Sequence, residues 1–287
     1  MLLITGGSGY LGAELVAQAS QAGMLVVASY HQHPPATIAA VADRVSWIPL
    51  DLRDATATEQ AIRALAPTAI IHTAYLQNGP EMWAITAEGA IAVARAALAC
   101  HARLIVMSSD VVFDGEKIGP YTEQDAPSPV SDYGRAKAFV EQQVAVLLPA
   151  ALIVRTSLIY GGDPISKHEQ LVLAAADGSA EIAFFEDELR CPVQVADLAA
   201  ALLELLPGTL AGVLHLAGAE TLSRYAFAQL VAAAHQRDPR VLRSARSADS
   251  PVRRPRNCAL DSRMAQQQLR VRLRGATEVL STKIKKP

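Results

Sequence analysis

The sequence predicts an α/β fold built on a doubly wound parallel sheet, followed by a smaller C-terminal lobe. Short, continuously apolar runs alternate with longer helical patterns over the first two-thirds of the chain. Continuous apolar runs indicate strands that are buried on both faces, which is typical of parallel sheets covered by helices. A glycine-rich segment separates the first strand from the first helix, which favours the same class.

Six strands are predicted in this first part of the chain. They are Leu2–Ile4, Leu25–Val27, Val45–Ile48, Ala69–Ile71, Leu104–Met107 and Ala151–Val154. The predicted helices between them run over Tyr10–Gln21, from a cap at Asp54 to Leu65, over Glu81–Cys100 and over Tyr133–Leu147. In a sheet of this kind the ligand crevice lies outside the carboxyl ends of the strands.

After Tyr160 the pattern loosens, and a smaller lobe is predicted. Helices are expected over His168–Ala176, Val195–Leu206 and Leu222–His235, and strands over Ile182–Phe185 and Val213–Leu216. We therefore expect a dinucleotide-binding domain over residues 1–157, to which residues 194–217 return. Residues 158–193 and 218–287 would form the substrate-binding lobe.

Composition narrows the classes of function. The 287 residues include 26 Lys and Arg against 28 Asp and Glu, a net charge of −2. This balance gives no field that would favour nucleic acid or a membrane surface as a partner. The apolar stretches are too short to cross a bilayer, and no leader peptide is recognisable, so we expect a cytoplasmic protein. The spacing of the cysteines suggests no metal site.

The glycine segment fits G-x-x-G-x-x-G. Gly6, Gly9 and Gly12 follow the first strand and lead into the first helix. Glycines in this position allow a tight turn and a close approach of the backbone to a pyrophosphate, and the helix N-terminus attracts its charge. The alternative is an ordinary βα turn, but the strand–turn–helix context favours a dinucleotide site.

The end of the second strand bears on the choice of cofactor. An NAD site usually has Asp or Glu there to bind the ribose hydroxyls. Here Tyr30 and His31 are followed by no carboxylate until Asp43. A 2′-phosphate would meet no repulsion, so NADP is preferred over NAD, although these residues could instead form a plain surface loop.

Three residues form a candidate catalytic trio. Tyr133 and Lys137 are four residues apart, so on a helix they project from the same face. A nearby ammonium favours the phenolate and lowers the pKa of a tyrosine that must exchange protons. Ser109 follows the fifth strand at the edge where the crevice is expected, and its hydroxyl could hold a carbonyl.

With these motifs in view, the sequence resembles the extended short-chain dehydrogenase/reductases and, among them, the dTDP-4-dehydrorhamnose reductase family. The likeness extends over almost the whole chain and fades after about Leu269. The segments that carry it are 5–12, 108–115, 120–123, 127–137, 155–161, 191–192, 196–199, 215–218, 223–225 and 254–255.

The resemblance implies a role for each matching residue. Tyr133 would give the proton to a sugar keto oxygen, Lys137 would hold the nicotinamide ribose and tune Tyr133, and Ser109 would bind the carbonyl. The implied cofactor contacts are Gly6, Ser8, Gly9, Tyr10, Leu11, Gly12, Tyr30, His31, Asp51, Leu52, Thr73, Ala74 and Tyr75, together with Tyr133 and Lys137. Asp51 could instead be only a helix-capping acid.

The sequence departs from the family at three positions. The family commonly has Tyr at Val111, Trp at Leu158 and Asn at Thr86. Val111 and Leu158 would border the sugar, and Phe113 is a further expected substrate contact. The catalytic trio is intact, which favours hydride transfer; the three departures argue against rhamnose as the sugar and keep a regulatory subunit open as an alternative.

Arginines of the lobe are candidates for the substrate's diphosphate, because a guanidinium binds phosphate with two hydrogen bonds. Arg190 and Arg254 are the selected candidates, with Arg253 and Arg256 nearby; any one of them could be a solvated surface residue. The function predicted is an NAD(P)H-dependent reductase of a 4-keto nucleotide-sugar, in a chain that could form a homodimer. An epimerase or dehydratase of the same fold, or a non-catalytic NAD(P)-binding regulatory subunit, stays open.

Overall fold

The computed structural model describes residues 1–33 and 44–284, so Asp43 lies outside the described residues. The strands of the described residues are, in chain order, β1 (Leu2–Thr5), β2 (Val26–Tyr30), β3 (Val45–Pro49), β4 (Ala69–His72), β5 (Arg103–Ser109), β6 (Leu152–Thr156), β7 (Ile159–Tyr160), β8 (Ala183–Phe185), β9 (Leu189–Arg190), β10 (Val193–Gln194), β11 (Gly212–Leu216), β12 (Leu222–Ser223) and β13 (Arg243–Ala245).

The α-helices alternate with these strands. They are α1 (Tyr10–Gln21), α2 (Ala55–Leu65), α3 (Gly89–Ala99), α4 (Asp132–Leu147), α5 (Lys167–Ala176), α6 (Val195–Leu205), α7 (Arg224–Ala234), α8 (Arg263–Gln268) and α9 (Ala276–Ile284). A π-helix, Ala84–Glu88, comes directly before α3.

A seven-stranded parallel sheet forms the centre of the fold, in the order β11-β6-β5-β4-β1-β2-β3. β1 pairs with β2 on one side and with β4 on the other, so the chain reverses its direction of winding between β1 and β4. Ligands bind at such a switch point in doubly wound sheets, outside the carboxyl ends of the strands. The predicted fold class is confirmed.

The chain divides into two compact units. The first comprises residues 1–108, 132–154 and 202–213, and the second comprises residues 109–131, 155–201 and 214–287. The domain limits expected from the sequence stay a prediction.

The core of the first unit lies where the sheet meets α2, α3 and α4. Leu3, Ile70 and Leu104 come from three neighbouring strands, and the helices contribute Val93 and Val140; all five are at most 2 % exposed. Small side chains line α3, which lets it pack against both α2 and α4. This packing fixes α4 and therefore its first turn, where Tyr133 lies.

The second unit has a core of its own. Tyr160, Phe227 and Val231 pack with Leu280, and α7 lies against α5, α9 and β12. Short strand pairs, β10 with β7, β12 with β9 and β13 with β8, tie its loops together. No helix of the described residues is long and apolar enough to cross a membrane.

Two predicted helices need correction. The helix expected over Glu81–Cys100 contains a π-helix, Ala84–Glu88, and is regular from Gly89 onward. The helix expected from Leu222 begins at Arg224, because Leu222 and Ser223 form β12 and pair with β9.

Candidate active site

The glycine turn lies at the switch point between β1 and β4. Gly6 has a φ of +75°, which favours glycine, and a Cβ there would lie 2.7 Å from the backbone nitrogen of Ala74. A Cβ on Gly12 would lie 2.0 Å from the Gly6 carbonyl oxygen, so α1 can begin this close to the turn only without a side chain. The Gly9 N–H donates to the Gly6 carbonyl at 2.9 Å and closes the turn.

This turn fits a dinucleotide pyrophosphate. Gly9 is the N-cap of α1, and no side chain caps the helix there, while Ser8 beside it is exposed. A helix N-terminus without a side-chain cap presents N–H groups and a partial positive charge to an anion. Tyr10, Leu11 and Gly12 form the first turn of α1, and Leu11 is buried. The cradle that a Cβ would fill is therefore present where the sequence predicts it.

Several charged side chains lie close together just after the ends of β2 and β3. Ser29 is buried and its Oγ accepts from the Gly6 N–H at 3.0 Å, so β2 holds the glycine turn in place. Arg53, which follows β3, donates to Asp51 at 2.6 Å and to Glu81 at 2.6 Å. The His31 ring nitrogen lies 3.3 Å from the Arg53 guanidinium. The hydrogen bonds from Arg53 lower the pKa of the Asp51 carboxyl to about 2, although burial opposes them.

Other predicted cofactor residues lie after β3 and β4. The Thr73 hydroxyl donates to the Thr5 carbonyl at 2.9 Å and ties the β4 loop to β1. Ala74 packs against the Gly6 backbone, and the Tyr75 side chain is 55 % exposed beside it. Leu52 is buried in the core, so only its backbone is available to a ligand, and Tyr30 is half-buried at the end of β2.

Thr86 has a clear structural role. It is fully buried in the π-helix, donates its hydroxyl hydrogen to the Leu76 carbonyl at 2.8 Å and accepts from the Leu76 N–H at 2.9 Å. Both bonds hold the loop immediately after Tyr75. Thr86, where the family commonly has Asn, therefore still has a polar side chain that can hold this loop.

Tyr133 and Lys137 lie on one face of α4, as the spacing predicts. The Lys137 Nζ is 5.8 Å from the centroid of the Tyr133 ring and 5.7 Å from that of Tyr75. The Tyr75 and Tyr133 ring centroids are 5.7 Å apart. The side chain of Lys137 is 2 % exposed, and its Nζ donates to the Met107 carbonyl at 2.9 Å, two residues before the end of β5.

Burial controls the electrostatics around Lys137. Burial lowers the pKa of the Lys137 ammonium to about 8, and the charge of Glu141 opposes this fall. Glu141 is buried one turn further along α4 and accepts from the Ser108 hydroxyl at 2.5 Å. Burial, helped by the charge of Lys137, lowers the pKa of His72 to about 3, so His72 is neutral beside the ammonium. Lys137 is thus a cation held in a nearly dry site.

Ser109 lies at the end of β5 in an extended conformation, with φ −145° and ψ 156°. Its Oγ lies 3.2 Å from Asp110 Oδ1, to which it donates, and it accepts weakly from the Val111 N–H at 3.4 Å. Asp110 is buried, and its other oxygen accepts from the Ser157 hydroxyl at 2.7 Å. Burial raises the pKa of Asp110 against the opposing charge of Arg190.

The three predicted apolar substrate contacts differ in burial. Val111 is half-buried in a short 3-10 helix, Asp110–Val112, and Leu158 is half-buried against the core of the second unit. Phe113 is fully buried: its ring stacks on Tyr121 with centroids 3.9 Å apart and lies 4.9 Å from the Arg155 guanidinium. This packing argues against Phe113 as a substrate contact, since no part of its ring is exposed.

The two predicted arginines are already engaged inside the second unit. Arg190 is 4 % exposed, donates to the carbonyls of Leu189, Pro255 and Arg256, and lies 3.7 Å from Asp110. Arg254 donates to Glu188, and its guanidinium carbon lies 4.9 Å from the centroid of the Phe185 ring. These contacts favour a structural role for Arg190 and leave Arg254, which is more exposed, the better candidate.

Sequence reasoning did not select Arg53 or Glu141. Glu141 could have been found from its i, i+4 spacing to Lys137 on α4. Arg53 is close to the predicted Asp51 in sequence, but its link to Glu81 and His31 needs the tertiary structure. Among the described residues, no group of three or more His, Cys, Asp or Glu could hold a metal ion.

Comparisons with known proteins show the family of this chain. The family model described as the RmlD substrate binding domain matches residues 1–286. A dTDP-4-dehydrorhamnose reductase of Mycobacterium tuberculosis (strain ATCC 25618 / H37Rv) is 34% identical over 277 residues, which cover 91% of this chain and 85% of the relative.

Solved structures show the same fold. A hypothetical dTDP-4-dehydrorhamnose reductase from Sulfolobus tokodaii is 28% identical with a TM-score of 0.82, covering 95% of this chain and 96% of that one. A dTDP-4-dehydrorhamnose reductase from Bacillus anthracis, in complex with NADP, is 24% identical with a TM-score of 0.80, covering 98% and 97%. The chain belongs to the RmlD substrate binding domain family, as the match over nearly its whole length, its glycine turn and its Tyr133–Lys137 pair indicate.

Proposed function

We propose that this protein is an NADPH-dependent reductase that converts the keto group of a 4-keto nucleotide-sugar to an alcohol. The observation that carries the proposal is the Tyr133–Lys137 pair on α4, with the buried Lys137 ammonium 5.8 Å from the Tyr133 ring. Relatives that are named dTDP-4-dehydrorhamnose reductases support the reaction class.

Tyr133 is the proposed acid. A bound nicotinamide would supply the hydride for the carbonyl carbon, and the carbonyl oxygen would then need a proton. The Tyr133 hydroxyl gives that proton, and its phenolate is stabilised by the ammonium of Lys137. The reaction therefore consumes one reduced cofactor and one proton for each keto group.

Lys137 is suited to this role because of its surroundings. Its Nζ already donates to the Met107 carbonyl, which fixes the ammonium, and it has further N–H groups for a ribose hydroxyl. A charge in a site with little water acts strongly on a nearby phenol. Ser109, two residues beyond Met107, is the proposed holder of the carbonyl oxygen.

NADP is the proposed cofactor. The glycine turn would hold the pyrophosphate, and Arg53 and His31 would meet the 2′-phosphate of the adenosine ribose. Arg53 is exposed at the end of β3 and shares its donors between Asp51 and Glu81, so it can turn towards an added phosphate. The Bacillus anthracis structure in complex with NADP supports this choice. A cytoplasmic location and a homodimer stay predictions.

The test is a reductase assay with purified protein, NADPH and a panel of 4-keto nucleotide-sugars, followed by nicotinamide absorbance. We expect NADPH to be consumed with at least one sugar, and Tyr133→Phe to lose nearly all turnover while it still binds NADPH. An epimerase or dehydratase would transform the sugar without net loss of NADPH. A regulatory subunit would bind NADPH and turn over nothing.

A further inference from the structure

The loop after β4 places a second aromatic ring beside the proposed catalytic pair. The ring centroid of Tyr75 is 5.7 Å from that of Tyr133, and the two ring planes are inclined at 47°. The Lys137 ammonium lies over both rings, 5.7 Å from the centroid of Tyr75 and 5.8 Å from that of Tyr133. One buried cation is therefore shared by two aromatic faces.

Hydrogen bonds fix the backbone on both sides of Tyr75. Before it, the Thr73 hydroxyl donates to the Thr5 carbonyl at 2.9 Å. After it, the Leu76 N–H donates to the Thr86 hydroxyl at 2.9 Å, and that hydroxyl donates to the Leu76 carbonyl at 2.8 Å. Thr86 is fully buried, so water does not compete for these bonds. The fold thus holds Tyr75 in place although this residue is 55 % exposed.

The charged groups around Lys137 make a contact with a ring important. Burial lowers the pKa of Lys137 to about 8, against the charge of Glu141 on the same helix. His72 of β4 is neutral, because burial lowers its pKa to about 3. The π-helix and α3 pack against α4, and their titratable side chains, Glu88 and Arg95, are exposed to solvent. Because Lys137 titrates close to neutral pH, any contact that favours its charged form changes how much of it is charged there.

An aromatic face favours the charged form of lysine. The negative face of the ring attracts a cation, and the attraction is larger where water is excluded. Lys137 is 2 % exposed, so its ammonium meets these rings with little water around it. Tyr75 itself is neutral, since burial of part of its side chain raises its pKa above the usual 10.0. The attraction is therefore between a cation and a ring face, which a phenylalanine could also supply.

We infer that Tyr75 is a positioning residue of the reduction: its ring, held in place by Thr86, fixes the Lys137 ammonium beside Tyr133 and keeps it charged. The inference rests on the proposed function for the reaction in which Tyr133 and Lys137 take part. A charged Lys137 stabilises the phenolate that Tyr133 becomes when it gives up its proton. Tyr75 acts on that step through Lys137.

The direct test is the titration of Lys137 itself, followed by NMR in the full-length protein without substrate. The chain has six lysines, so a sample labelled with ¹³C at the lysine Cε gives six side-chain signals, and the one absent from Lys137→Met belongs to Lys137. In wild type this signal should titrate near pH 8. In Tyr75→Leu, which keeps an apolar side chain and removes the ring, it should titrate about half to one pH unit lower.

Matched variants separate the ring face from a general loss of packing. Tyr75→Phe should restore most of the wild-type titration, because the ring face rather than the hydroxyl meets the ammonium. Trp83→Leu is the control: Trp83 packs on Phe139 of α4 with ring centroids 5.3 Å apart, a contact between two rings, and its loss should leave the Lys137 signal unchanged. Thr86→Val should cause part of the fall in wild type and none in a Tyr75→Leu background, since Thr86 acts through Tyr75.

The same effect should appear in the pH dependence of the reaction. If Lys137 titrates half to one pH unit lower, its charged fraction at pH 8 falls from about one-half to between about one-quarter and one-tenth. The ratio of kcat/KM at pH 8 to that at pH 6 should therefore be about two- to fivefold smaller in Tyr75→Leu than in wild type. A purely structural role of Tyr75 would lower kcat/KM equally at both pH values.

A Lys137 signal that titrates in Tyr75→Leu at the wild-type pH or above it overturns the inference, since the ring would then only cover the ammonium. Tyr75→Phe behaving like Tyr75→Leu overturns it too, and an equal effect of Thr86→Val in both backgrounds removes Thr86 from it. The expected fall together with no NADPH consumption on any keto sugar leaves the role of Tyr75 standing and removes the reductase. NADPH consumption by wild type with an unmoved Lys137 signal in Tyr75→Leu does the reverse.

Discussion

Replacing Glu141 by Gln should make the reaction more sensitive to alkaline pH. Glu141 is the buried carboxylate whose charge opposes the fall of the Lys137 pKa to about 8. Gln keeps the shape and can still accept from the Ser108 hydroxyl, but it removes the charge. If that lowers the pKa of Lys137 by about one unit, the ammonium is lost at a lower pH.

The size of the effect follows from the two pKa values. With a pKa of about 8, roughly nine-tenths of Lys137 is charged at pH 7 and about half at pH 8. After a fall of about one unit these fractions become about one-half and one-tenth. The expected loss in kcat/KM is therefore negligible at pH 6, about twofold at pH 7 and about fivefold at pH 8.

The assay is the pH profile of kcat/KM for NADPH-dependent reduction by wild type and Glu141→Gln. Glu59→Gln serves as the control, because Glu59 pairs with Arg63 in another helix. A Glu141→Gln profile that runs parallel to that of wild type from pH 6 to about 8 would refute the view that Glu141 keeps Lys137 charged.

Three further changes have expected outcomes. Gly12→Ala should weaken NADPH binding at least about tenfold in a fluorescence titration, because the new Cβ would lie 2.0 Å from the Gly6 carbonyl and must open the turn. Lys137→Met should be inactive, yet more stable than wild type by about 2 kcal/mol in urea unfolding at pH 7. The gain arises because burial lowers the Lys137 pKa from 10.5 to about 8, and the lost hydrogen bond to Met107 subtracts from that gain. The free-energy cost of burying a charged Lys137 applies in full below pH 8 and falls away as the pH rises towards 10.5. The extra stability of Lys137→Met should therefore shrink over that pH range. Arg53→Gln should raise KM for NADPH by about tenfold and leave KM for NADH nearly unchanged, as measured by initial rates with each cofactor.

Much of the first unit could be predicted from the sequence because its signals are local. Helix α1 runs over Tyr10–Gln21 as predicted, since a glycine turn precedes it and its apolar residues repeat with helical spacing. Asp54 caps α2 through the Ala57 N–H, as expected from its residue type and position. The spacing of Tyr133 and Lys137 predicted that both side chains lie on one face of α4, because a helix turns once in 3.6 residues.

Features that depend on tertiary contacts were missed. Strands of two or three residues, such as β9 and β12, show no alternation in sequence and exist because the chain pairs them. The bonds between the Thr86 hydroxyl and the Leu76 backbone join residues ten positions apart, which no local pattern predicts. Burial decided between the two predicted arginines: Arg190 is buried and engaged with three carbonyls and a carboxylate, whereas the Arg254 side chain stays 40% exposed.

The central claim is net hydride transfer from NADPH to a sugar carbonyl, with the proton supplied by Tyr133. The most direct measurement uses NADPH carrying deuterium on the transferred position and a 4-keto nucleotide-sugar, analysed by mass spectrometry and cofactor absorbance together. We predict one deuterium in the product alcohol for each NADPH oxidised by wild type, and no labelled product with Tyr133→Phe. A transformed sugar without deuterium and without NADPH loss, or labelled product formed at the wild-type rate by Tyr133→Phe, would contradict it.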